Sequence, residues 1–271
     1  MQAHESLARS PEQRITACII CGNEIRNIER CLKSVQWADE IVVVDSFSTD
    51  GTFDVACRYT DRVYRQKWLG YIGQKKHAAA KASCPWIFFV DADEEVSNGL
   101  RAEIEEVFSK PIPEGLNGFN CPRLVHYLGR WIRHGDWYPD MKLRLFRKTH
   151  GECGGEEPHD RIIVKGKVRA LRHPLNHYTY TCISDQINQI NRFSSISADS
   201  SVNAKTPTYL KMSMHALFRF FRCYVVKGGF LDGIPGLIVA VNVAFGTFSK
   251  YAKLWDLHRR MREEPGSEQK G

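Results

Sequence analysis

Trp86-Ile87-Phe88-Phe89-Val90-Asp91-Ala92-Asp93-Glu94-Glu95 is an unbroken apolar run that ends in a cluster of carboxylates. A short apolar run of this kind reads as a strand buried on both faces, and its end lies at the rim of a sheet, where open α/β folds bind ligands. Asp91 and Asp93 are thereby delivered to a rim suited to a divalent cation and a diphosphate. Glu94 and Glu95 are expected at the N-terminus of the next helix, which favours negative charge.

The same construction occurs upstream. Glu40 to Val44 is a β-branched run ending in Asp45, followed by Ser46-Phe47-Ser48-Thr49-Asp50-Gly51-Thr52, a loop expected to turn into a helix over 54–58. Before it, Ile15 to Cys21 reads as a first strand and Glu24 to Val35 as an amphipathic helix. Strand alternating with helix predicts a doubly wound, mainly parallel α/β sheet with right-handed crossovers.

These residues carry a resemblance. Asn23-Glu24, the run Trp37 to Ser46 with Ser48 to Thr52, and Asp91-Ala92-Asp93-Glu94 resemble the inverting family 2 glycosyltransferases of the GT-A fold. Gly135 to Asp140, Arg144 to Arg147, His177-Tyr178, Gly229 to Gly233 and Lys250 to Trp255 extend the likeness over nearly the whole chain. Within the family the chain is most similar to the bacterial lipopolysaccharide-core β-1,4-glucosyltransferase group. The resemblance implies a single Rossmann-like sheet with an acceptor-side extension and C-terminal amphipathic helices. It implies a nucleotide-sugar site at Asn23, Glu24, Asp45 and Asp91, and a Mg2+ or Mn2+ ion held by Asp93 with Asp91. Hard cations of this kind use one or two carboxylates plus substrate phosphates.

Lys75 and Lys76 open a helix expected over 70–82, where free backbone N–H groups and ammonium groups suit diphosphate oxygens; a solvated basic face is the other reading. Inverting transfer also needs a base. Related enzymes carry His-Glu where this chain has His159-Asp160, so Asp160 is the first candidate, with Glu157 and Asp140 open. His159 either orients the loop or meets the acceptor. Trp137 and Tyr138, among polar residues, suit a saccharide face, or else an ordinary half-buried hairpin; Arg144 on the following strand suits an anionic acceptor.

A chain of 271 residues with 43% hydrophobic content supports one elaborated domain with a terminal appendage. The expected organisation is a polar lead (1–13), a glycosyltransferase domain (14–204, its nucleotide half 14–100 and acceptor half 101–204), a basic amphipathic segment (205–262) and a disordered tail (263–271). The net charge of +7 carries no nucleic-acid motif with it and is concentrated toward the C-terminus. Ile234 to Phe248 is apolar but short of the roughly 20 residues that span a bilayer, so the segment is expected on an anionic leaflet or packed on the domain. The polar start and nine scattered cysteines point to reduced thiols in the cytoplasm; together with the lipid acceptor that the resemblance implies, the expectation is a peripheral enzyme on the inner face of the bacterial membrane.

The expected activity is transfer of a hexose, glucose from UDP-glucose first, to a lipid-linked saccharide. The alternatives are another nucleotide sugar serving capsule, exopolysaccharide or protein glycan synthesis, and a non-catalytic sugar-nucleotide-binding protein. A haloacid-dehalogenase-type phosphatase is disfavoured, because its Asp-x-Asp opens the domain whereas this one follows two strand-helix units.

Overall fold

A computed structural model describes residues 9–156, 159–180 and 182–263. The chain divides into two compact units, Met1–Leu124 with Asp140–Tyr178, and Val125–Pro139 with Thr179–Gly271. The second unit thus includes residues 125–139, and its first helix begins at Ile183.

The first unit is built on β1 (Ile15–Cys21), α1 (Ile28–Ser34), β2 (Glu40–Asp45), α2 (Thr52–Ala56), β3 (Val63–Arg65), α3 (Gly70–Lys81) and β4 (Trp86–Phe89). There follow β5 (Glu94–Val96), α4 (Asn98–Phe108), β6 (Leu116–Tyr127), β7 (Arg130–Ile132) and β8 (Asp140–Arg147), of which β7 and the last three residues of β6 fall in the second unit. β9 (Gly151–Glu156), β10 (His159–Val164), β11 (Lys167–Ala170) and β12 (Leu175–His177) complete the strands. The main sheet runs β3-β2-β1-β4-β8-β6-β12-β5, with β11 and β7 on β6, while β9 and β10 form a separate hairpin.

β1 pairs in parallel with β2 and with β4, and every one of its residues is buried, which is why it reads as continuously apolar. Its alternate side chains serve two cores. Ile15, Ala17, Ile19 and Cys21 pack with Leu32 of α1 and Ile104 and Phe108 of α4, while Cys18 and Ile20 pack on the other face with Ala78 of α3. Cys18 and Cys21 therefore point to opposite faces, as their strand setting requires, and all nine cysteines are free. Beyond β4 the sheet turns antiparallel through β8 and β6.

Two local expectations are corrected. The helix expected from Glu24 starts at Ile28, because Asn27 N and Ile28 N both bond to Glu24 O and close a turn first. Glu94 and Glu95 do not cap a helix: they form β5, antiparallel to β12, and α4 begins after Ser97, whose hydroxyl accepts from Leu100 N. The partner that makes β5 a strand lies some 80 residues downstream, beyond any local pattern.

The second unit holds α5 (Ile183–Asp199), α6 (Tyr209–Phe221), a π turn (Arg222–Val226), a 3-10 turn (Gly229–Asp232) and α7 (Gly233–Glu263). α7 packs on both α5 and α6. Its buried Asn242 donates to Gln186 of α5 at 2.6 Å, and Gln186 in turn accepts from the buried Tyr127 hydroxyl. The helix that includes α7, Gly229–Glu263, is long and apolar enough to cross a membrane by length and composition, and about a third of its apolar part is buried inside the protein. The helix thus runs beyond the apolar stretch 234–248 read from the sequence, into the charged residues 250–263.

Candidate active site

Parallel pairing brings the C-terminal ends of β1, β2 and β4 to one edge. At that edge Asp45 is fully buried, and it shapes the loop after β2: Ser48 N donates to its Oδ2 at 3.0 Å and the Ser48 hydroxyl to its Oδ1. Asn23 has φ +56°, a conformation Asn tolerates, and ties the loop after β1 to the same segment. Its N–H donates to Ser48 Oγ at 2.9 Å and its Oδ1 accepts from Thr49 N at 2.9 Å. Glu24 N donates to Thr52 Oγ1 at 2.8 Å, and burial pushes the Glu24 carboxyl up.

The acidic turn after β4 is closed by Asp91 and Glu94 on each other: Glu94 N donates to Asp91 O at 2.8 Å, and Asp91 N to Glu94 Oε2 at 2.9 Å. Arg144 of β8, almost wholly buried, reaches both side chains, 2.5 Å from Asp91 and 2.6 Å from Glu94. Lys75 of α3, 2% exposed, bridges Asp91 at 3.0 Å and Asp160 of β10 at 2.7 Å. Burial would raise the Asp91 carboxyl, but the Arg144 and Lys75 charges outweigh it and hold the group far below the usual carboxylate range. For Glu94, with no exposure, burial wins and raises the carboxyl. Burial likewise pulls Lys75 down, yet Asp91 and Asp160 hold it above the ordinary lysine value.

Asp93 is placed differently. Its side chain is 25% exposed and its partner is His177 of β12, with Nε2 at 3.0 Å from Oδ2, while its carbonyl accepts from Tyr178 N at 2.9 Å. Burial opposes ionisation there, and the facing His177 overcomes it, so the carboxyl sits below its ordinary value. Among the described residues no group of three His, Cys, Asp or Glu side chains could enclose a metal ion. Asp93 beside an imidazole fits a hard divalent cation that takes its remaining ligands from a bound diphosphate, with Asp91 one residue removed.

The structure therefore brings together Lys75, Asp91, Asp93, Arg144 and Asp160. Lys75 is buried between carboxylates, and Lys76 alone is exposed. Arg144 is spent on Asp91 and Glu94 rather than presented outward. Asp140 pairs with Arg123 at 2.7 Å and Lys142 at 3.1 Å, which hold its carboxyl down against burial. His159 opens β10 opposite Glu156, and Glu157 lies outside the described residues. Trp137 and Tyr138 belong to the second unit, where Trp137 packs on Tyr180, ring centroids 5.7 Å apart, and on Tyr127 at 5.3 Å.

The sequence reading missed the roles of His177, Glu94 and Lys75 as partners. For Lys75 a signal existed: with Ala78 and Ala82 it stands at i, i+3 and i+7, the buried stripe of α3. His177 stood in the His177-Tyr178 motif of the resemblance, but nothing local pointed to Asp93 as its partner.

A match to the family described as "Glycosyl transferase family 2" spans residues 16–156, a little over half of the chain. The chain is 31% identical over 256 residues to the lipopolysaccharide core biosynthesis glycosyltransferase LpsC of Rhizobium meliloti (strain 1021), covering 92% of this chain and 94% of that one. It is 29% identical over 262 residues to the glycosyltransferase RP128 of Rickettsia prowazekii (strain Madrid E), covering 90% and 88%. Among solved structures, the mannosyltransferase PcManGT from Pyrobaculum calidifontis, in complex with GDP-Man and Mn2+, superposes with a TM-score of 0.53 at 14% identity over 92% of this chain and 90% of that one. That likeness is one of fold.

Proposed function

Because the chain belongs to glycosyl transferase family 2 and is a glycosyltransferase, we propose that it is a metal-dependent, inverting enzyme of the inner membrane face. It moves a hexose, glucose from UDP-glucose, to a lipid-linked saccharide such as the lipopolysaccharide core. The observation that carries this reading is the division of labour between Asp91, locked by Arg144 and Lys75, and Asp93, which keeps a partly exposed carboxylate beside His177. The name of LpsC supports the acceptor class.

Asp93, oriented by His177, would hold Mg2+ or Mn2+, which when bound would offset the charge gathering on the departing diphosphate. Asp91, Arg144 and Glu94 keep the turn rigid, so Asp93 is positioned before the donor arrives. Asp45 and Asn23 order the loop beside the nucleoside. Asp160 takes the acceptor proton on Oδ1, the oxygen not held by Lys75. Asp140 is occupied on both oxygens by Arg123 and Lys142, which hold its carboxyl down.

Purified chain, UDP-glucose and membranes carrying the acceptor provide the test. UDP release should require the acceptor, stop in EDTA, return with Mn2+ or Mg2+, and be absent in Asp93→Ala. Release unaffected by EDTA and by Asp93→Ala would overturn the metal role, and turnover with another nucleotide sugar alone would overturn the donor.

A further inference from the structure

The second unit carries an outward-facing apolar stripe. No residue of α6 is buried, and Leu210, Met214, Leu217, Phe218 and Phe221, at i, i+4, i+7, i+8 and i+11, line one face of it, each more than half exposed. Val226 of the π turn and Ile234 of α7, 67% and 75% exposed, continue the apolar surface along the chain. Soluble surfaces rarely leave so many large apolar side chains together unless something covers them.

Three cations are organised at the end of this stripe. Asp136, 7% exposed, is held at 2.9 Å by each of Arg219, Arg222 and Lys227, which are themselves 34–39% exposed. The cluster is built into the fold: Asp136 N bonds to Cys223 Sγ at 3.4 Å, and Gly135 N to Lys227 O at 3.0 Å. One carboxylate cannot neutralise three cations, so two positive charges remain. Each guanidinium has five N–H donors, and Arg222 gives one of them to Asp136. A planar, pre-positioned fork of this kind is matched to phosphate oxygens.

We propose that α6 and the two turns after it dock on an anionic bilayer. The apolar stripe enters the acyl boundary, and the cations gathered on Asp136 grip headgroup phosphates. The inference rests on the membrane-face reading given above and names the surface that would make the contact. Charge selects the occupant: residues 205–262 carry ten Lys and Arg against two Asp, a net +8, while the whole chain is +7. A second copy would bring the same charge to the same face, whereas an anionic leaflet attracts it.

The test is sedimentation of the full chain with vesicles of phosphatidylcholine, alone or mixed with phosphatidylglycerol. Binding should require phosphatidylglycerol and weaken as salt rises. Leu217→Ser with Phe218→Ser, at exposed positions, should lower affinity at least tenfold, on the order expected for two buried apolar side chains. Arg222→Gln and Lys227→Gln should each lower it about fivefold, as for one cation near a charged surface. Unchanged circular dichroism and melting would show that these variants fold. Equal binding to both vesicle types would overturn the role of the Asp136 cations in selecting an anionic surface. Protein left in solution with both, or a dimer that Phe218→Ser dissociates, would overturn the docking surface. UDP release with detergent-dispersed acceptor, measured in parallel, needs no vesicle. Its failure with vesicle binding intact would overturn the enzymatic reading alone, and the reverse result the docking surface alone.

Discussion

Lys75 Nζ stands 2.7 Å from the carboxylate of Asp160, and because the ammonium is buried the two residues depend on each other. Removing one partner of a buried ion pair leaves an uncompensated charge. Lys75→Met should therefore cost about 3–5 kcal/mol in urea unfolding and abolish transfer. A loss below about 1 kcal/mol, the range of solvated pairs, would show that water reaches Asp160.

Stability should fall in acid through Asp91. Its folded-state pKa lies far below the unfolded value of about 3.9. The carboxylate's contribution is complete above that value and is lost as pH drops from there toward the folded one. Unfolding free energies of the protein and of Asp91→Asn, compared between pH 7 and pH 2, should differ most at neutral pH and converge below about pH 4. A constant difference would refute the linkage.

His177→Gln removes the group that holds the Asp93 carboxyl down. Side chains that orient a metal-bound carboxylate commonly contribute 10–100-fold to affinity, so the Mn2+ concentration giving half-maximal UDP release should rise by about that factor. An unchanged Mn2+ dependence would remove His177 from the site.

Gly236 of α7 is packed against the 3-10 turn before it. A Cβ there would lie 2.0 Å from Gly229 O and 2.9 Å from Asp232 Cβ. Asp232 accepts from Arg133 N at 3.0 Å and His134 N at 2.9 Å, so displacing it disturbs residues 133–134 as well. Gly236→Ala should destabilise by at least about 1–3 kcal/mol, the range of overpacked cores, read as a lower melting temperature with family-type activity retained in the cold.

The parallel core was legible because β1, β2 and β4 are apolar on both faces and end in recognisable loops, and the strands appear at 15–21 and 40–45 as expected. Asp91 and Asp93 were legible as a pair for the same reason. Their different fates were not, since those depend on Arg144 and His177, brought by sheet pairing, and on Asp160, brought by the separate β9-β10 hairpin, all 50 or more residues later. Lys75 is the instructive case: charge suggested a surface, while the helical stripe it shares with Ala78 and Ala82 indicated the interior. The helical character of 205–262 was legible, whereas α5 and the adoption of residues 125–139 into the second unit follow from long-range packing.

The long sequence separation around Asp91 also orders events during synthesis. Arg144 follows Asp91 by 53 residues and His177 follows Asp93 by 84. At roughly 5–20 residues per second a ribosome delivers the first partner about 3–10 s after the acidic turn and the second later still. Until then the turn's carboxylates have Lys75 and water but neither Arg144 nor His177, so the parallel strands can form first while this corner is still incomplete. The last strand to leave the ribosome is the one that seats Asp93.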